Sequence, residues 1–253
     1  MKRRIDKVIF VIFVIFVLAF VFYLLVVNRF SIFNSIRRSL FVEDRYMLLL
    51  GGLWQTLIIS FLSIFIGSVL AGFICFLRMS KNKYIKYVGK FLISTFQGLP
   101  ITVILLLFYY CVFGSVNINP VLVSIISFSL YFSVYVAEIY RGALDSINKT
   151  QIDSAYSLGL TKFQTIRYII VPQMLSYIIP VYKNECVALI KLTSIVGFIS
   201  VMDLTRASEI IRNRTYEAFF PLIFTAFIYY GICFVLSKFL DYFYKKINPR
   251  KGA

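Results

Sequence analysis

The 253-residue sequence contains no histidine. That removes both the side chain most often used as a general base near neutral pH and the commonest metal ligand. Its four cysteines, Cys75, Cys111, Cys186 and Cys233, stand singly inside apolar stretches with no CxxC pair, which indicates neither a thiolate metal site nor a disulfide framework. No GxxxxGK run followed by Ser or Thr occurs, so the chain carries no P-loop for nucleotide. Acids are scarce, with 11 Asp and Glu against 27 Lys and Arg and a net charge of +16. Such an excess suits nucleic acid as well as membranes, but these charges sit between apolar runs rather than on amphipathic faces, so no nucleic-acid partner is expected. The absences together predict no catalytic residue, no metal and no cofactor.

What is present is apolar. Hydrophobic residues make up 60%, aromatic ones 18% and charged ones 15%, and the mean hydropathy is +0.85, well beyond what one water-soluble core of this length needs. Windows long enough to cross roughly 30 Å of hydrocarbon as helix fall at about 8–27, 47–77, 91–113, 120–140, 174–198 and 219–240. The expected fold is therefore an all-α membrane protein, a single transmembrane domain of six helices. The second window exceeds one span, so part of 47–57 is expected to run along the outer interface or to belong to a tilted helix. Placing the N-terminus inside puts 18 of the 27 basic residues on the cytoplasmic side, which favours an N-in, C-in topology. The basic start and apolar run also fit a signal peptide, but bulky residues at 8–27 and the lack of a small-x-small site after them predict a retained first span.

The loop at 141–172 is too dense in structural signals to be a mere connector. Thr150-Gln151-Ile152-Asp153 has the pattern of a capping box, predicting a helix from near Gln151. Gly159 is placed to end it, and Thr161-Lys162-Phe163-Gln164 to start a second helix that runs toward Val171, with Pro172 leading into the next span. Ile152, Ala155, Tyr156 and Leu158 offer a small apolar surface suited to docking a partner. On geometry alone, a force-transmitting elbow and a re-entrant interfacial loop remain equal alternatives.

The residues then begin to resemble a family. Asp153-Ser154-Ala155, three residues, Gly159, nine residues and Ile169-Ile170-Val171-Pro172 keep every spacing of the EAA loop of ATP-binding-cassette importer permeases. Asp, Ser and Val stand where the family has Glu, Ala and Leu. The resemblance spreads over about 46–242 and is similar to polar amino-acid permeases in particular. It is carried by Arg45-Tyr46 with Leu49–Ser60, Gln97-Gly98-Leu99-Pro100, Val136–Gly142, Asn184-Glu185, Leu189–Ser194 and Asp203–Arg206. It implies a five-helix type I importer core with 8–27 as an added helix, in a bacterial inner membrane. It further implies a coupling segment that carries Ile152, Asp153, Ser154, Ala155, Tyr156, Leu158, Gly159, Leu160 and Pro172 into a groove of a separate ATPase, present in two copies. The other implied partners are a second permease chain, identical or related, an extracytoplasmic substrate-binding protein, and an amino-acid substrate.

Within the spans, Glu138 lies three residues before Arg141, a spacing that places both on one helix face. Two readings stand for it, a structural ion pair and a part in gating. Glu185 lies deeper and must find a partner on another helix, another subunit or the substrate; a buried acid along the path would suit an amino group, cationic substrates above all. Asn184 and Lys191 share a face two turns apart. Thr193 is small and polar, able to meet substrate or simply to allow close helix packing. At 203–217 the mixture of charges with Ile210 and Ile211 predicts an amphipathic outer helix. Rival readings are an ion-coupled secondary transporter, which would use Glu138, Glu185 and Lys191 as a relay, and a membrane scaffold without transport.

Overall fold

A computed structural model describes residues 36–217 and 219–247, and these contain helices and no strand. The expected first span, 8–27, lies outside the described residues. The helices are α1 (Tyr46–Met79), α2 (Lys83–Gly98), α3 (Ile101–Leu106), α4 (Pro120–Asp145), α5 (Lys149–Ser157), α6 (Lys162–Thr165), α7 (Val171–Leu192), α8 (Leu204–Thr215) and α9 (Phe219–Ile247).

Helix α1 is one uninterrupted helix of 34 residues, about 51 Å at 1.5 Å per residue and therefore longer than the hydrocarbon is thick. Its buried side reads Leu49, Gly52, Thr56, Ile59, Ser63, Gly67, Ala71 and Ile74, a three-and-four spacing that draws one stripe along the cylinder. The stripe packs on α4, the most deeply covered helix, whose core includes Phe128, Phe132, Val134 and Val136. Small residues permit the approach. A Cβ added to Gly67 would stand 2.9 Å from the Ser129 carbonyl oxygen and from Phe132. Lipid-embedded helices associate through such contacts because tails are as apolar as the side chains.

Two expected windows are not single helices. The 91–113 window falls on α2 and on the helix Ile101–Val112, which are bent by 104° relative to each other. Pro100 lacks an N–H and fixes Leu99 in extended backbone, so the first helix stops and a second begins at Ile101. The 174–198 window begins as α7 and tightens into the 3-10 helix Thr193–Ile199, which ends at left-handed Ser200 before α8. In contrast, 120–140 and 219–240 lie within the single helices α4 and α9. Helix α9 is the barest, with 11% of its apolar window buried against 61% for α4, so most of it needs lipid or another chain as solvent.

Candidate functional site: the helix–glycine–helix loop and the helix it drives

The 141–172 loop folds as two short helices around Gly159. The first helix starts at Lys149, two residues earlier than the sequence suggested. Asn148, and not Thr150, supplies the cap, its side-chain oxygen accepting from the Thr150 N–H at 2.9 Å. Asn is at least as good a cap as Thr, and its earlier position adds about half a turn to the helix. At the other end the Leu160 N–H donates to the Ala155 carbonyl (3.1 Å) and the Gly159 N–H to that of Tyr156 (2.9 Å). This paired closure requires a left-handed residue, and Gly159 has φ of +82°. The Thr161 box forms as expected, with Gln164 N–H donating to Thr161 Oγ1 and Thr161 N–H to Gln164 Oε1.

The two faces of α5 differ. Ala155 is buried and, with Ser154, Leu158, Leu160 and Ile169, borders an open groove of about 390 Å³. Gln173 Nε2 bridges to Gln151 Oε1 at 2.9 Å beside it. Outward, Leu158 is 81% exposed and Phe163 69%, with Tyr156 nearly half exposed. Ile152 is half-buried, while Asp153 and Pro172 are exposed. Apolar side chains bared on a polar loop are what a docking surface requires.

Pro172 does not break the chain of helices. A wide π turn at Ile166–Ile170 joins α6 to α7, Val171 N–H reaching the Ile166 carbonyl five residues back. The proline then falls in the first turn of α7, where its missing N–H costs least. The result is an unbroken helical path, Lys162–Ile199.

That path carries the other predicted residues. Asn184 and Lys191 are exposed on one face, and Glu185, on another, is half-buried with no hydrogen bond or ion pair among the described residues. Thr193 is fully buried, its hydroxyl donating to the Ile190 carbonyl at 2.7 Å. Lys183 reaches Asp241 of α9 at 2.6 Å. Tyr182 shares a 2.7 Å hydrogen bond with Ser68 of α1.

Glu138 meets two guanidinium groups at the loop end of the bundle. Arg141 Nη2 lies 2.7 Å from Oε2, and Arg141 also holds Asp145. Arg78, at the end of α1, lies 3.5 Å from Oε1 without a hydrogen bond. The i,i+3 pair was legible in the sequence; Arg78 was not, because sixty residues separate it from Glu138. Glu138→Gln leaves two guanidinium groups facing each other and is expected to cost about 1–3 kcal/mol, read as a lowered thermal unfolding midpoint. An unchanged midpoint would make the cluster incidental.

At the opposite end Asp203 is fully buried and caps α8, accepting from Thr205 N–H and Arg206 N–H at 3.0 Å each. Burial pushes its carboxyl above the usual carboxylate range, against the pull of those donors. Thr56 of α1 accepts from the Leu204 N–H at 3.1 Å, and Thr205 pairs with Tyr229 of α9 at 3.2 Å. Helix α8 is amphipathic, burying Leu204, Ala207 and Ile211 and leaving an Arg206–Glu209 pair on its surface.

A helical bundle with a Gly-jointed double helix at one end and a broken span at the other matches a described protein family. Residues 63–249 fit the family called binding-protein-dependent transport system inner membrane component. The chain belongs to that family. It is 37% identical over 216 residues to the probable amino-acid ABC transporter permease protein YckA of Bacillus subtilis (strain 168), covering 85% of this chain and 94% of that one. It is 33% identical to the L-cystine transport system permease protein TcyB of the same organism, over 81% of this chain and 88% of that one. The solved structure of an amino acid ABC transporter with histidines superposes with a TM-score of 0.72 at 35% identity, covering 81% of this chain and 96% of that chain. The permease is thus a multi-pass inner-membrane subunit of an amino-acid ABC importer, a transport component rather than an enzyme. An importer permease of this kind works with an ATPase and a substrate-binding protein, in a dimeric arrangement.

Proposed function

We propose that this permease provides half of a pathway for polar amino acids, moved between inward and outward access by a separate ATPase that grips α5 and α6. The observation that carries the reading is the unbroken path Lys162–Ile199. It runs from the elbow that follows the exposed Tyr156–Leu158 surface to the face that holds Asn184 and Lys191, so displacement of the elbow is transmitted to that face.

The pathway is assigned to a seam with a second permease chain. Tyr177, Val181, Asn184 and Lys191 lie along one side of α7, opposite buried Cys186, Leu189 and Ile190. An amide and an ammonium on an outward face at this depth are costly against lipid tails, and water or a partner subunit relieves them. Two such chains, identical or related, would each hold one ATPase. Lys191 would receive the substrate carboxylate and Glu185, about 120° round α7 from it, the far end of a cationic side chain, with Glu138 and Thr193 shaping the helices around them. The binding protein would approach α8, whose alternating charges suit a transient interface. The loop end faces the cytosol in this reading.

The test is uptake in vesicles that hold the permease, its ATPase and its binding protein, run with cationic, acidic and amide amino acids. Uptake should require ATP hydrolysis, and Glu185→Gln should reduce cationic substrates most. Transport that continues on an ion gradient with hydrolysis blocked would overturn the mechanism. An equal loss for every substrate would remove Glu185 from the substrate path.

A further inference from the structure

The start of α2 is a surface that the proposed transport role does not use. From Asp44 to Glu138 the sequence has no acidic residue, yet it holds Arg78, Lys81, Lys83, Lys86 and Lys90. Arg78 is drawn to Glu138. The four lysines are exposed, and none of them forms an ion pair among the described residues. What sets the patch apart is its run of sequence: four lysines within ten residues and no carboxylate among or near them in the chain.

Side-chain placement adds a second feature. Gly89 packs so closely on the end of α1 that an added Cβ would stand 2.9 Å from the Arg78 backbone nitrogen, and Ile93 is buried with it. At about 100° per residue, Lys83, Lys86 and Lys90 fall on one flank of that buried stripe. Tyr84, Tyr87 and Phe91 fall on the side facing away from the bundle, 85%, 69% and 59% exposed. A basic flank beside an exposed aromatic face is the arrangement of a helix that sits at the headgroup boundary, rings toward acyl chains and ammonium groups toward phosphates. The Glu138 cluster fixes the location, because it ties the end of α1, and hence α2, to the end of the bundle that carries the 141–172 loop.

We infer that Lys81, Lys83, Lys86 and Lys90, with Tyr84, Tyr87 and Phe91, form a binding surface for anionic phospholipid headgroups in the leaflet on the loop side. Four lysines without acids around them match the charge count at which polybasic segments select acidic lipids. The surface is built on the Gly89 contact with α1, so the lipid it binds would brace the α1–α2 corner from outside.

The experiment uses the full chain with its ATPase in nanodiscs of phosphatidylcholine alone or with phosphatidylglycerol, lipid retention being read by native mass spectrometry. Wild type should retain phosphatidylglycerol preferentially, and the preference should weaken as salt rises. The K83Q/K86Q/K90Q variant should lose roughly tenfold or more of that preference, while K83R/K86R/K90R keeps it. The Arg variant shares any folding penalty of three replacements, so a loss in the Gln variant alone reports charge. Equal retention by wild type and the Gln variant overturns the proposal, as does a wild type without lipid preference. Release of the ATPase by the Gln variant with lipid retention unchanged also overturns it, because the lysines would then serve a protein contact. None of these readings requires substrate transport, so they remain informative if the amino-acid assignment fails.

Discussion

Replacing Gly159 with valine is expected to abolish uptake and release the ATPase while leaving the bundle folded. The reason lies in the backbone alone. Gly159 has φ of +82°, and a Cβ added there meets nothing within 4 Å, so no packing is lost and no clash with a neighbour arises. The penalty is the left-handed conformation itself, about 1–2 kcal/mol for an ordinary residue and harsher for a β-branched one. To escape it, α5 must give up the paired closure by Gly159 and Leu160 onto Tyr156 and Ala155, which re-aims Tyr156 and Leu158. The prediction is ordered: Asn, which tolerates the left-handed region, should keep most copurified ATPase, Ala less and Val least. If Val behaves as Asn does, the elbow conformation is not what the ATPase reads.

The second large effect is expected at the opposite end. A Cβ on Gly52 would lie 2.5 Å from the Asp203 carbonyl oxygen, 2.8 Å from its carbonyl carbon and 2.9 Å from Leu204 Cα. All three are backbone atoms, so no rotamer change relieves the contact. Gly52→Ala must push α8 away from α1, straining the Thr56–Leu204 hydrogen bond and the Asp203 cap. We expect a loss of about 2–3 kcal/mol, read in the thermal unfolding of the purified permease. Gly51→Ala is the matched control, since nothing lies within 4 Å of its Cβ; it should be neutral or slightly stabilising, because alanine is the better helix former. If both variants behave alike, the close approach at Gly52 is not a constraint.

Much of this arrangement could be read from residues in order. The length of their apolar runs located α4 and α9, the glycine between two cap sequences predicted the elbow, and the spacing of Glu138 to Arg141 predicted their pair. The features that escaped are those in which distant parts of the chain meet or local signals compete. The 104° bend at Leu99–Pro100 was hidden because hydropathy counts residues and is blind to direction. Asn148 outcompeted Thr150 as a cap, a choice that pattern matching to a box missed although Asn is favoured there. The Lys183–Asp241 pair joins residues 58 apart, and Gly52 looks like any glycine until the chain folds Asp203 against it. The continuity through Pro172 was unreadable because it depends on the π turn at Ile166–Ile170, which no residue pattern announces.

That continuity has a mechanical consequence. Thirty-eight residues of helix make a shaft of about 57 Å, held near its middle by Tyr182 on Ser68 and by Lys183 on Asp241. With the pivot there, a tilt of about 10° swings each tip by roughly 5 Å, in opposite directions. A modest squeeze at the elbow would then part the far ends of two such levers by about the width of an amino acid, with no side chain along the way needing to change its rotamer.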